Sequence, residues 1–176
     1  MPSSHGSKAI SLAGVFCVSV SLAACSGLLT KAPSAPHPRS TILSDLEPVS
    51  SLQLLYHCGS APSEVPSGLW TPSRVQITEV DRRVRASLAS SLSTTPHVGN
   101  SDDYYIQYLG LVMNGRKVIL ANGVHEVGAR SYLPSRWRST LMVICDLGRG
   151  GFRMEYDVKT RQWGEIRFAE AYGPTM

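Results

Sequence analysis

The chain lacks the residue spacings that several common catalytic and metal sites require. Its four cysteines include no C-x-x-C pair, and its five histidines include no H-x-x-x-H or H-E-x-x-H pattern. The G-x-S-x-G and S-x-x-K motifs are also absent. These absences exclude the usual zinc-ligand spacings and the usual serine-hydrolase and metalloprotease motifs. We therefore expect no metal and no cofactor.

The net charge of the chain is small as well. From Cys25 onward the chain carries 16 basic and 13 acidic residues, which gives a net charge of +3. Basic and acidic residues alternate over residues 152–168, a pattern typical of a solvated β-surface with cross-strand pairs. Because a nucleic-acid-binding surface carries a basic stripe with few acids, we expect no nucleic-acid partner.

One long apolar run is present, over residues 9–24, and it contains no charge. It is shorter than the roughly 20 residues that a membrane-spanning helix needs. The run ends on Leu22, Ala23 and Ala24, followed by Cys25. Small residues let a signal peptidase approach the backbone, and a cysteine supplies a thiolate for attachment of lipid. The stretch resembles the lipobox of bacterial lipoproteins at all four positions.

The lipobox resemblance implies that residues 1–24 are a signal peptide and that Cys25 carries lipid. Several acyl chains, at about 0.8 kcal/mol for each buried CH₂, would hold the protein on a bilayer. Ser26, rather than an aspartate, follows the cysteine, which implies the inner leaflet of the outer membrane, facing the periplasm. A plain secretory signal with an incidental Cys25 is the alternative.

The remaining chain divides into a linker and a domain. Residues 25–48 contain four prolines and no periodic pattern, so we expect a flexible, disordered linker after the lipidated cysteine. Residues 49–176 are long enough for one small domain. The predicted architecture is α+β, with one main helix packed on a roughly five-stranded, mostly antiparallel sheet.

The predicted helix starts at a capping box formed by Ser73 and Gln76. Asp81 and Arg85 are spaced as an i,i+4 ion pair, which we place on the exposed face. Apolar residues at spacings of three and four form one stripe on the opposite face. The stripe consists of Ile77, Val80, Val84, Leu88 and Leu92.

A hairpin is the strongest β prediction. Asn114-Gly115 is a preferred type I′ turn, flanked by apolar strands. Residues 140–146 form a nearly continuous apolar run, which predicts a central strand buried on both faces. Residues 152–158 and 163–168 complete the predicted sheet.

Two cysteines remain for the domain once the signal peptide and the lipid are accounted for. Cys58 and Cys145 are an even pair in an oxidising compartment, so we predict a disulfide between them. Buried free thiols, or a nucleophile or metal ligand beside His57, are the alternatives.

Two short stretches are candidate sites. Arg136, Trp137 and Arg138 form a loop with the residue types that are enriched at binding hot spots. The structural alternative is that Trp137 caps the sheet with Arg138 stacked on it. His125 is a candidate general base if Asp146 or Glu155 orients it, and a surface histidine otherwise.

Residues 104–163 also resemble a group of small lipoproteins of Gram-negative bacteria that have no assigned activity. The shared features are the tyrosine-rich strand, the return strand, the lone-tryptophan loop and the aspartate turn near residue 157, although Leu147 stands where the pattern usually has glycine. The sequence thus favours a non-enzymatic binding or structural domain with a periplasmic protein or cell-wall partner. An inhibitor of an envelope enzyme that uses the Trp137 loop is the alternative, and a hydrolase using His125 is the least supported.

The predicted disulfide has a direct test. The protein purified from the periplasm is alkylated with and without reductant and analysed by mass spectrometry. We expect Cys58 and Cys145 to be alkylated only after reduction, because a bonded sulfur is not a nucleophile. Alkylation of Cys58 without reductant would show that the bridge is absent.

Overall fold

A long β-hairpin forms the centre of the fold. β3 (Tyr104–Met113) and β4 (Arg116–His125) are antiparallel and stay in register from one end to the other. The turn residues Asn114 and Gly115 have φ of 47° and 73°. A type I′ turn requires positive φ at both positions, so the predicted hairpin is confirmed.

The computed structural model describes residues 35–44, 62–94 and 99–169. In this part of the chain, the other strands are β1 (Ser40–Ile42), β2 (Gly68–Trp70), β5 (Gly148–Asp157) and β6 (Arg167–Ala169). The six strands form one mostly antiparallel sheet, in the order β1-β3-β4-β5-β6, with β2 also paired to β3. Only the β1–β3 pairing is parallel. The α+β architecture is as predicted.

The main helix, α1 (Arg74–Ser93), begins at the predicted capping box. The Gln76 amide donates to the Ser73 hydroxyl oxygen at 3.3 Å, and the Ser73 amide donates to the Gln76 side chain at 2.9 Å. The whole predicted apolar stripe is buried against one face of the sheet. The helix prediction is confirmed, because α1 begins at the predicted capping box and buries the predicted apolar stripe.

A crossing segment covers the opposite face of the sheet. It contains a short helix, α2 (Glu126–Ala129), two 3₁₀ turns and the buried residues Leu141 and Met142. The predicted strand at residues 140–146 is therefore wrong. Its apolar run reflects burial of the segment beneath the sheet, and β3 and β4 are the strands covered on both faces.

The predicted linker is wrong over residues 35–44. Ser40–Ile42 is the strand β1, which pairs with β3, and Leu43 is buried. A three-residue strand has no periodicity to detect, and its bonding partners lie far along the chain. The domain therefore includes residues before the predicted boundary at 49. Residues 25–34 and 45–48 lie outside the described residues.

The C-terminal strand is shorter and later than predicted. β6 occupies Arg167–Ala169, and Trp163 forms only an isolated bridge to Tyr156.

Among the described helices, none is both long and apolar enough to cross a bilayer.

Gly110 offers a test of the packing between β2 and β3. A Cβ at Gly110 would overlap the carbonyl of Trp70 and the ring of Pro72. We expect Gly110→Ala to lower the free energy of unfolding by about 1–3 kcal/mol, as overpacking does, measured by chemical denaturation. Gly68→Ala is the matched control, since its Cβ would meet only Val112 at 3.9 Å. Equal stability of the two variants would contradict this account.

Candidate functional site

A buried carboxylate joins β1 to the helix and the sheet. Asp81 lies on the sheet-facing side of α1 and is 4% exposed. Its carboxylate accepts hydrogen bonds from the Tyr108 hydroxyl at 2.7 Å and the Ser40 hydroxyl at 2.6 Å. The backbone amide of His37 donates to it at 2.9 Å. The Arg85 guanidinium approaches the same carboxylate at 3.3 Å.

Arg85 completes this arrangement, which we call the Asp81 latch (Asp81, Arg85, Ser40, Tyr108 and His37). Its guanidinium donates to the carbonyl of Ser101 at 2.9 Å and to the Ser40 hydroxyl at 3.0 Å. The Asp81–Arg85 pair is therefore buried and not on the exposed face as predicted. Spacing along the helix revealed the pair, but not the chain segment that covers it.

Burial also sets the protonation of the latch. It raises the pKa of Tyr108 well above its ordinary value, with a further contribution from Asp81. The Tyr108 hydroxyl therefore keeps the proton that it donates. Burial, followed by the positive charge of Arg85, lowers the pKa of His37. The neutral ring accepts the Arg39 amide at Nδ1, at 3.2 Å.

The latch supports one wall of a groove between the start of α1 and β1. The groove has a volume of about 420 Å³. Ile77, which is buried, and Ile42, which is half-buried, contribute its apolar surface, while Arg74 and Arg138 are exposed. Its described lining includes no carboxylate. Among the described residues, neither Arg74 nor Arg138 has an ion-pair partner.

Arg138 belongs to the predicted binding loop, residues 136–138. The three residues of this loop lie in different environments. Trp137 is 2% exposed and packs edge-on against Tyr105, with ring centroids 5.0 Å apart. The Arg138 guanidinium lies 4.4 Å from the centre of the Trp137 ring. Trp137 is thus buried with Arg138 stacked on it, which matches the structural alternative for this loop rather than an exposed contact residue. Arg138 lines the groove, and Arg136 is exposed elsewhere on the loop.

A buried glutamine fixes this loop to the sheet. The Gln107 side-chain amide donates to the carbonyls of Trp137 at 2.6 Å and Thr140 at 2.8 Å. Two hydrogen bonds from a central strand thus attach the loop that carries Arg138 to the sheet.

The outer edge of β1 is the second feature of the groove. The Arg39 carbonyl accepts from the Ile106 amide at 2.8 Å, and the Leu43 amide donates to the Tyr108 carbonyl at 3.0 Å. Because backbone groups alternate in direction along a strand, the amide and carbonyl of Ile42 point away from β3. No residue in the described ranges bonds to them.

His125 has a structural role in this fold. It is the N-cap of α2, and its Nδ1 accepts the Val127 amide at 3.3 Å. Its ring packs edge-on against Tyr104. Of its two predicted orienting partners, Glu155 accepts the amide and the hydroxyl of Ser63 at 2.6 and 2.7 Å. This geometry gives the hydrolase hypothesis no support.

A second buried cation lies on the opposite face of the sheet. Arg153 is 7% exposed, and its Nε donates to the Asn122 side chain at 3.2 Å. One terminal nitrogen has no hydrogen-bond partner among the described residues. Burial lowers the pKa of Arg153 to about 10. The adjoining spaces of about 10 and 20 Å³ have room for about one water molecule each, so we assign this cation to the core.

Cys145 is exposed and disulfide-bonded. Cys58 and Cys25 lie outside the described residues, so the Cys58 pairing and the lipidation stay predictions. In residues 35–44, 62–94 and 99–169, no cluster of histidine, cysteine and carboxylate side chains is arranged to hold a metal ion.

No family model, curated protein or solved structure matches the chain.

The latch has a direct test. Asp81→Ala removes the nearer counter-charge of the buried Arg85 and leaves Asp102, at 3.9 Å, as its acidic partner. We expect a loss of about 3–5 kcal/mol in the free energy of unfolding, as when a buried ion pair is broken. Chemical denaturation measures this loss, and hydrogen exchange at the Ile106 amide, which bonds to Arg39, reports release of β1. Glu79→Ala, at an exposed position of the same helix, is the control. A loss no larger than that of the control would show that the latch does not hold the fold.

Proposed function

We propose that the protein is a lipid-anchored protein of the bacterial cell envelope whose α+β domain binds another envelope component without catalysing a reaction. The observation that carries the proposal is the Leu22–Cys25 sequence after an uncharged apolar run. Small residues followed by cysteine suit signal cleavage and thioether formation.

The binding half of the proposal is supported by the groove. Two arginines without ion-pair partners in the described chain flank apolar surface and a sheet edge. Concave surfaces with a few convergent polar groups are the usual binding sites of proteins. The inhibitor hypothesis depended on Trp137 as a contact residue, and its burial supplies no support for that role.

Metabolic labelling tests the anchor. The full chain and its Cys25→Ala variant are expressed in a Gram-negative host grown with a clickable palmitate analogue. We expect label and detergent-phase partitioning for the unaltered protein and neither for Cys25→Ala, because the thiol is the acceptor of lipid.

Cys17→Ala is the matched control, since Cys17 lies within the same apolar run. It should label like the unaltered protein. Label retained by Cys25→Ala, or missing from the unaltered protein, would refute the anchor.

A further inference from the structure

We propose that the groove binds an extended acidic peptide segment of a partner protein, which adds to the sheet as a strand beside β1. This inference rests on the proposed binding role of the domain and names the chemistry of the partner. Its first support is the backbone of Ile42, whose outward amide and carbonyl have no partner in the described chain. Strand addition to such an edge supplies hydrogen bonds whatever the side chains of the incoming peptide.

The two arginines lie on opposite sides of this edge. Arg74 is the first residue of α1, which covers one face of the sheet. Arg138 follows Trp137, which is buried under the opposite face together with Tyr105. Both arginines nevertheless line the same groove. A strand added beside β1 would therefore run between two guanidinium groups, one above and one below the plane of the sheet.

This placement predicts a pattern in the ligand. Consecutive side chains of a strand point to opposite faces. Two acidic residues whose positions differ by an odd number, such as adjacent residues, therefore reach the two arginines. Carboxylates accept charge-assisted hydrogen bonds from arginine. Apolar side chains of the same segment would cover the surface of Ile42 and Ile77.

The charge of the groove selects it over the wider depression along α1. That depression, about 760 Å³ in volume, is lined by Arg82, Arg83 and Glu165, so both signs of charge are present. The described lining of the groove beside β1 carries positive charge without a carboxylate. Charge complementarity therefore favours an acidic segment at β1.

A peptide titration tests the inference. The protein produced from the full chain is held in detergent micelles. A fluorescent peptide of about six residues, the usual length of a strand, carries two adjacent glutamates among valines and threonines. Fluorescence anisotropy should show saturable binding. We expect replacement of both glutamates by glutamine to weaken binding by about tenfold or more, as expected for charged hydrogen bonds.

Protein variants locate the site. Arg74→Gln and Arg138→Gln should each weaken binding by about tenfold, whereas Arg82→Gln, an exposed arginine on the same helix outside the groove, should not. A peptide that is N-methylated at alternate residues, in the two possible phases, separates strand addition from charge attraction. Only the phase whose amides face β1 should lose binding.

Specific outcomes would overturn the inference. These are binding that is unchanged by both arginine substitutions, binding that tolerates N-methylation in both phases, and a dimer that dissociates in Arg74→Gln, which would make a second copy the occupant. A lipid-labelled protein that binds no acidic peptide refutes the groove assignment alone, while an unlabelled protein that binds it refutes the anchor alone.

Discussion

The surrounding structure depends on the hydrogen bonds and the ion pair of the Asp81 carboxylate. It lies on the sheet-facing side of α1 and accepts hydrogen bonds from β1 and β3. A buried carboxylate costs free energy unless it is paired and hydrogen-bonded, and here Arg85 supplies the charge while hydroxyl and amide groups supply the bonds. The latch thereby attaches the proline-rich segment of residues 35–44 to the sheet. The composition of this segment could not order it without those contacts.

The proposed binding edge exists because of this attachment. Without β1 the outer edge of β3 near Ile106 would be open, and the groove lined by Arg74 would lose its strand edge. On the other face, Gln107 holds the loop that carries Arg138. Polar groups inside the core thus position the two cations at its surface, although neither arginine takes part in the buried networks.

Local sequence signals were sufficient for the elements at the centre of the fold. The capping box and apolar stripe predicted α1, and Asn114-Gly115 predicted the hairpin, because each of these signals acts within a few residues. β1 could not be predicted in this way, since its partners Asp81 and Ile106 are distant in sequence.

The candidate site was predicted only in part. The choice of the Arg136–Arg138 loop identified one residue that lines the groove. Composition could not show that Trp137 faces inward, because tryptophan is common both in cores and at interfaces. Arg74 carried no signal of its own, since its role depends on the strand that folds beside it.

The cross-strand pair Gln107 and Asn122 has a consequence for how the chain folds. The two residues are directly opposite each other in the hairpin, and the Asn122 amide donates to Gln107 at 3.1 Å. A slip of either strand by one residue would turn its amide toward the apolar stripe of α1, because side chains alternate between the faces. A misaligned hairpin would then bury an amide without a partner. The pair thus disfavours misaligned pairings of the hairpin relative to the native register.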